Sequence, residues 1–238
     1  MIKRITKIIL TVFLILIIAI SYLSVFGIKT DKFNSQINNN ILKINKKINL
    51  TLNDVKYLLN PLNFTINIKT ENPQILLEDR ILGIKDIRTN ISLKSLIDHQ
   101  FSINHLEFNT KEIKLNDIIA LGRVLNNSPQ LFVLNTIIKD GFISANVNLN
   151  FDEKGKVKEN YKIKGFVKKV KLNILNQLKI KNLNFKFDID QNLYSLKQID
   201  TNLNDIKITS PLIEIKKNKS SFFVNGEFLN DKNNFDIK

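Results

Sequence analysis

Residues 143–151, with the sequence ISANVNLNF, alternate apolar and polar side chains without a break. A period of two places every apolar side chain on one face of an extended chain, which is typical of a strand with one buried side. Gly155, in the segment 152–156, predicts a turn, and the same alternation resumes after it in residues 161–167. These two segments predict an antiparallel hairpin.

The same period of two recurs on both sides of this hairpin, and residues 81–93 add further strand material. A shift of phase by one residue at Asn104 and His105 predicts a β-bulge, which would bend its strand. The sequence therefore predicts a mainly antiparallel β domain. The other alternating apolar residues are Ile48, Leu50 and Leu52; Leu62, Phe64, Ile66 and Ile68; Phe101, Ile103, Leu106 and Phe108; Leu183, Phe185, Phe187 and Ile189; Leu203, Ile206 and Ile208; Leu212, Ile213 and Ile215; and Phe222, Val224, Gly226 and Phe228.

A few segments follow the helical period instead. Residues 30–47 begin with a cap at Thr30 and carry a single apolar stripe, which predicts an amphipathic helix. This helix would either lie on a membrane surface or plug one end of the fold, and its narrow stripe favours the plug. Residues 116–127 predict the longest helix inside the domain, with Asn116 as its cap, and residues 92–99 predict a short amphipathic turn. The stripe of the first helix consists of Phe33, Ile37, Ile41, Ile44 and Ile48.

Residues 8–28 carry no charged side chain. As a helix they would be about 31 Å long, which matches a hydrocarbon core of about 30 Å. Lys3, Arg4 and Lys7 precede this run, so the positive-inside rule keeps the amino terminus in the cytoplasm and exports the rest of the chain. A cleaved signal peptide is the alternative, but the length of the run and the lack of a small-x-small site favour a single-pass anchor. Representative anchor side chains are Ile8, Phe13, Ile18, Tyr22 and Phe26.

The composition narrows the class of protein. The chain has a net charge of +14 and no cysteine, which excludes a disulfide framework and cysteine-based metal sites. An exported domain does not meet nucleic acid in ordinary function, so we expect the lysines to line solvated faces, with a further contribution near anionic lipid headgroups. We divide the chain into a basic amino terminus with the anchor at 1–29, the amphipathic helix at 30–47 and one β domain at 48–238.

The sequence offers little for catalysis. The histidines His99 and His105 have no recognisable metal-ligand spacing, and no nucleophile motif or phosphate-binding glycine loop occurs. The neighbouring carboxylates at 78–79 and 152–153 fall in predicted turns, where solvated roles are usual. We therefore expect no enzymatic activity, no metal and no cofactor. The lysines of the run 161–171 would bind lipid headgroups or, as solvent-facing charges of a strand, guard against aggregation, and we favour the second interpretation.

A long meander with all its apolar side chains on one face cannot leave that face bare. It must curl on itself, pack against a second sheet or hold an apolar ligand. The in-phase alternation predicts a groove for lipid acyl chains, because several strands together can supply enough apolar surface. The residues that we predict to line this groove are Phe64, Ile66, Phe101, Ile103, Val147, Leu149, Ile163, Phe185 and Phe187.

Three stretches of hydrophobic spacing follow the single anchor and the short helix after it, namely INLTLNDVKYLLNPLNFTINIKTENPQI, ISLKSLIDHQFSINHLEFNTKEIKL and IIKDGFISANVNLNFDEKGKVKENYKIKGFVKKVKL. In this arrangement the chain resembles the amino-terminal part of AsmA-like envelope proteins. Such proteins usually run much longer, so the chain is expected to be an amino-terminal fragment or a short member.

The resemblance implies a bacterial inner-membrane protein with its carboxyl-terminal domain in the periplasm, related in architecture to TamB and to chorein-type bridge-like lipid transfer proteins. The curved sheet of such a protein forms a hydrophobic groove for phospholipid, in lipid transport and outer-membrane biogenesis. The implied partners are phospholipid, the inner membrane and an outer-membrane or periplasmic protein. The alternative function is a structural or assembly factor of the envelope whose apolar residues fill an ordinary core.

Overall fold

The computed structural model describes residues 2–98, 103–174, 178–218 and 221–230. The chain is mainly antiparallel β, with 55% strand and 25% helix, which confirms the predicted fold class at this level. The strands form one sheet that is open rather than closed. The helices are α1 (Ile2–Val25), α2 (Asn34–Ile44), α3 (Leu93–Ile97), α4 (Leu115–Leu125) and α5 (Pro129–Ile137).

In the described residues the sheet contains fifteen strands, eleven of which lie side by side on one path in the order β1-β3-β4-β6-β7-β9-β10-β11-β12-β13-β14. Every pair along this path is antiparallel. The strands are β1 (Ile28–Thr30), β2 (Ile48–Thr51), β3 (Val55–Asn60), β4 (Thr65–Glu71), β5 (Gln74–Leu77), β6 (Arg80–Ser92), β7 (Ile103–Thr110), β8 (Ile113–Lys114), β9 (Ile138–Asn150), β10 (Lys162–Ile174), β11 (Leu178–Ile189), β12 (Leu193–Leu203), β13 (Ile206–Lys217), β14 (Phe222–Gly226) and β15 (Leu229–Asn230).

The hairpin predicted from the alternation is present. Ile163 of β10 pairs with Val147 of β9, and Val167 pairs with Ile143. In the turn between these strands the Asp152 carboxylate accepts hydrogen bonds from the backbone N–H groups of Lys154 and Lys156, each at 2.9 Å. Gly155 has a φ of +78°, which a glycine adopts without steric cost.

Bulges interrupt several of the long strands. The register of β6 against β7 shifts beside Asn104, which confirms the predicted bulge. Farther along the sheet, Lys169 of β10, Asn182 of β11 and Gln198 of β12 each have a φ between +52° and +55°. The β10–β11 and β11–β12 registers shift at these positions. Three neighbouring strands are therefore bent and more strongly twisted at similar positions along their length.

A compact core lies under α2 and α4. The buried side chains of Ile48, Leu77, Leu82 and Ile113 form its centre. Ile41 of α2 packs against this cluster together with side chains from β5 and α4. The second apolar cluster comes mainly from β9 to β12 and lies on the sheet itself, with Leu115 of α4 at its border.

Some predicted boundaries were wrong. Leu62 and Phe64 lie in a turn rather than in a strand, because the Asn60 side chain accepts a hydrogen bond from the Asn63 N–H and Phe64 has a φ of +49°. Thr30 ends β1 instead of capping a helix. Asn116 lies inside α4, which begins at Leu115.

The sequence prediction also missed a helix and a turn. Helix α5 starts at Pro129, and Ser128 caps it by accepting a hydrogen bond from the Leu131 N–H at 3.4 Å. Residues 203–208 read as one strand in the sequence, but Asn204 and Asp205 both have positive φ and form the turn between β12 and β13.

Candidate functional site

One row of side chains crosses the entire path of the sheet. Directly paired residues of antiparallel strands place their side chains on the same face, so the register identifies the members of this row. We call the face that carries it the apolar face. Its eleven members, in strand order, are Thr30, Val55, Thr70, Ile87, Phe108, Val147, Ile163, Ile189, Tyr194, Ile215 and Val224.

Neighbouring rows on the same face are also mostly apolar. The row on one side runs through Ile28, Tyr57, Ile68, Thr89, Leu106 and Leu149. The row on the other side runs through Ala145, Gly165, Phe187, Leu196, Ile213 and Gly226. The apolar face is therefore several side chains wide over most of its length.

The opposite face is polar. A row on that face joins Lys29, Lys56, Lys69, Arg88, Glu107, Asn148 and Lys162. Asn146, also on this face, donates hydrogen bonds to Glu107 at 2.9 Å and to Asn109 at 2.6 Å. The two faces thus differ sharply in chemistry, as period-two alternation requires.

Part of the apolar face has no helical cover in the described part of the chain. Helices contact β2, β3, β6, β8, β9 and β10 at several points, whereas no described helix makes more than isolated contacts with β11, β12 or β13. The side chains on this uncovered part are nevertheless largely withdrawn from solvent, and Phe187 is only 7% exposed. Phe185 contacts Phe187 edge to face, with ring centroids 6.4 Å apart. The burial comes from neighbouring rows on the same face.

Most of the predicted groove residues lie together on the apolar face. Phe64 lies instead in the turn before β4, where 69% of it is exposed, and Phe101 falls outside the described residues. The register places the other seven on the apolar face, namely Ile66, Ile103, Val147, Leu149, Ile163, Phe185 and Phe187.

The sequence prediction missed strand β12 and the side chains that it adds to the apolar face. Tyr194 and Leu196 pair with Ile189 and Phe187 of β11. Residues 193–199 do not alternate cleanly, so they gave no strand signal. The signal that was available is the spacing of Tyr194, Leu196 and Ile199. The first two are two residues apart, and the next interval is three residues because of the bulge at Gln198.

The apolar face begins where α1 ends. The segment Lys3–Val25 is long and apolar enough to span a membrane, and the most apolar stretch of it is not buried in the protein. The predicted anchor residues Ile8, Phe13, Ile18 and Tyr22 lie in α1, and Phe26 follows it. All five are exposed.

The link between α1 and the sheet is short and closely packed. Gly27 has a φ of +67°, and a Cβ atom there would clash with the Tyr57 carbonyl oxygen. The next residue, Ile28, pairs with Tyr57 on β3. The Tyr57 ring contacts Phe33 with centroids 5.5 Å apart, and burial raises the pKa of the Tyr57 hydroxyl. That hydroxyl is buried and has no hydrogen-bond partner in the described part of the chain.

An apolar cavity of about 340 Å³ adjoins the apolar face. It lies between helices α2 and α4 on one side and strands β2, β5, β6, β7 and β8 on the other. Phe108, a member of the eleven-strand row, forms part of its wall. The other lining residues are Ile41, Asn45, Ile48, Ile75, Leu82, Ile84, Thr110, Ile113, Ile118, Leu121 and Leu125.

Among the described residues, no group of three or more His, Cys, Asp or Glu side chains is placed to hold a metal ion. The His105 ring nitrogen Nδ1 lies 3.0 Å from the Asn150 side-chain oxygen, on the polar face, and His99 lies outside the described residues. Glu78 forms an ion pair with Lys47, and the Asp152 carboxylate accepts a hydrogen bond from the Lys154 N–H in its turn.

Comparisons of the chain with protein-family models, with curated proteins and with solved structures find no match. The AsmA-like resemblance therefore stays a prediction, and the geometry of the apolar face is the basis for the function proposed below.

Proposed function

We propose that this chain is an anchored protein of the bacterial inner membrane that holds or conducts phospholipid acyl chains on its apolar face, in the periplasm. The proposal includes a role in lipid transport and outer-membrane biogenesis. The observation that carries it is the mostly apolar row of directly paired residues that crosses all eleven strands of the path, from β1 to β14. An ordinary core would end beneath a covering layer, whereas this row continues beyond the last helix.

The bends in the sheet support a groove rather than a flat surface. Bulges with positive φ at Lys169, Asn182 and Gln198 bend three neighbouring strands. Val167 and Val170, on either side of the first bulge, are both buried in the same apolar cluster. Burial of these side chains among the strands of a bent sheet, with Leu115 of α4 beside them, fits the concave side of the sheet, so we place the groove on the apolar face.

The energetics fit an acyl chain. Each methylene group removed from water contributes about 0.8 kcal/mol, so a chain of about sixteen carbons contributes on the order of 12 kcal/mol. Only a long apolar surface can remove so many methylene groups from water. Eleven strands at a spacing of about 4.8 Å extend over about 48 Å. A groove of this length would hold lipid but needs a further element or partner to reach across an envelope.

The position of the anchor supports entry of lipid from the membrane. Ile28 lies on the apolar face only three residues after Val25, the last residue of α1. If α1 spans the bilayer, the first strand of the sheet therefore lies at the lipid surface. An acyl chain would pass from the membrane to the apolar face without crossing a polar segment.

The test is to place a carboxylate on the apolar face and the same group on the polar face of the same strand. Val147→Asp puts a charge at a position that is 9% exposed, at the centre of the row. The matched control is Asn148→Asp, which pairs with Lys162 on the polar face. We expect phospholipid that co-purifies with the full chain to be lost in the first variant and kept in the second, as measured by mass spectrometry.

Leu149→Asp is a second variant. Leu149 is less buried than Val147, so strand β9 should keep its fold after this substitution. Circular dichroism would establish that each variant is folded. If folded variants of Val147 and Leu149 bind as much lipid as the parent, the groove assignment is wrong. The structural or assembly role would then take its place.

A further inference from the structure

The apolar cavity beneath α2 and α4 offers few polar groups to a water molecule. Asn45 and Thr110 are the polar residues that line it in the described part of the chain, and both side chains already have hydrogen-bond partners. The Asn45 side chain donates to the Val124 carbonyl at 3.1 Å and accepts from the Lys47 N–H at 2.9 Å. The Thr110 hydroxyl oxygen accepts from the Ala145 N–H at 2.8 Å. A water molecule needs two to four polar partners, so an apolar group is the better occupant.

The cavity is continuous with the apolar face. Phe108 belongs both to its wall and to the eleven-strand row, where it pairs with Val147. Ile84, another wall residue, pairs with Thr110 on the same strand as Phe108. The cavity therefore lies within the core beneath the helices and shares the Phe108 side chain with the open face.

The size and position of the cavity fit the end of a lipid chain. Its volume of about 340 Å³ lies at the lower end of the range for ligand pockets. β7, which carries Phe108, is the fifth strand on the path, so it lies about 19 Å from β1 at a spacing of about 4.8 Å. A lipid whose headgroup stayed near α1 would thus place only the far part of an acyl chain here.

We propose that this cavity receives the methyl end of a phospholipid acyl chain that lies on the apolar face, and that its depth limits the length of chain held. The inference rests on the proposed lipid-binding function and adds a chain-length preference to it. Helices α2 and α4 form the closed end, through Ile41, Ile118 and Leu121.

A photocrosslinking experiment on the unaltered full chain tests the location. The probe is a phosphatidylethanolamine with a diazirine at the methyl end of one acyl chain, incorporated into the membrane in which the protein is embedded. We expect adducts on peptides from α4 and on the peptide that contains Phe108. Adducts confined to β9 through β13 would overturn the cavity assignment while leaving the proposed function in place. Absence of any phospholipid adduct would overturn both.

Substitutions in α4 test the effect on chain length. Leu121→Phe narrows the cavity and should reduce the share of the longest bound chains, by about fourfold for each methylene group excluded. Leu121→Ala enlarges the cavity and should shift the distribution in the opposite direction. The matched control, Val133→Phe, adds bulk on α5 at a position that is 54% exposed and should change nothing.

The readout is the distribution of acyl lengths among phospholipids bound to each full-length variant, measured by mass spectrometry. Opposite shifts for the two Leu121 variants support the proposal. An unchanged distribution in both, with normal amounts of lipid, means that the cavity is only a packing gap. If Leu121→Phe fails to fold, Leu121→Ala and the crosslinking result still decide the question.

Discussion

The Phe187 ring lies directly over Gly165. A Cβ atom on Gly165 would stand only 2.7 Å from Cζ of Phe187 and would also clash with the Ser144 carbonyl oxygen. The two residues are direct partners on β10 and β11. The glycine thus leaves room for an aromatic ring to lie flat within the apolar face, near its most buried part.

Gly165→Ala should therefore destabilise the protein, because neither the Ser144 backbone nor the buried ring can move away freely. We expect a loss of about 1–3 kcal/mol in the free energy of unfolding, as for other overpacked sites. The matched control is Gly83→Ala, whose added methyl would meet only the flexible Lys111 side chain, at 3.1 Å. Urea unfolding of the two full-length variants makes the comparison. Equal losses in the free energy of unfolding at the two positions would show that the contact with Phe187 does not exclude a larger side chain at position 165.

The turn after β9 should respond to acid. The Lys156 N–H, and then the Lys154 N–H, hold the pKa of the Asp152 carboxyl below its ordinary value through hydrogen bonds. A group with a lowered folded-state pKa contributes stability above the unfolded pKa, about 3.9, and loses it as the pH falls through the folded value. Asp152→Asn keeps the acceptor oxygen but not the charge. The stability difference between parent and variant should therefore be present at pH 7 and shrink below about pH 4. A difference that stays constant down to pH 3 would contradict this account of the turn.

The proposed topology predicts the accessibility of the β domain. Lys3, Arg4 and Lys7 precede α1, which favours a cytoplasmic amino terminus and an exported domain. Protease added to spheroplasts should degrade the domain, whereas intact cells should protect it. Full protection of the domain in spheroplasts, with an exported marker degraded in the same sample, would exclude this orientation.

Much of the sheet is predictable because alternation depends only on local sequence. Residues 143–151 alternate without interruption, residues 161–167 do so except at Phe166, and the two segments form a hairpin whose register places Val147 opposite Ile163. The in-phase apolar face follows from the same pattern. The order of strands in the chain also predicts most neighbours in the sheet, since each long strand pairs with the next along the main path.

The parts that were missed depend on residues that break the period. Gln198, with a φ of +54°, inserts a bulge in β12, so its apolar residues are not spaced by two throughout. The Asn60 side chain and the positive φ of Phe64 form a turn within an alternating segment. Helix α5 has no buried residue, so it lacks the apolar stripe by which a helix is recognised in sequence. The cavity depends on how α2 and α4 meet the sheet, which no local pattern contains.

The central claim is that phospholipid acyl chains lie on the apolar face, and crosslinking from that face tests it most directly. A photoreactive amino acid would replace, one at a time, residues of the eleven-strand row and their neighbours on the polar face, in the full chain expressed in bacteria. The apolar-face positions are Val147, Ile163, Ile189 and Ile215, and the controls are Asn148, Lys162, Asp188 and Glu214. We predict phospholipid adducts at the first four positions and few or none at the second four. Adducts of equal yield on both faces, or none on the apolar face, would contradict the account.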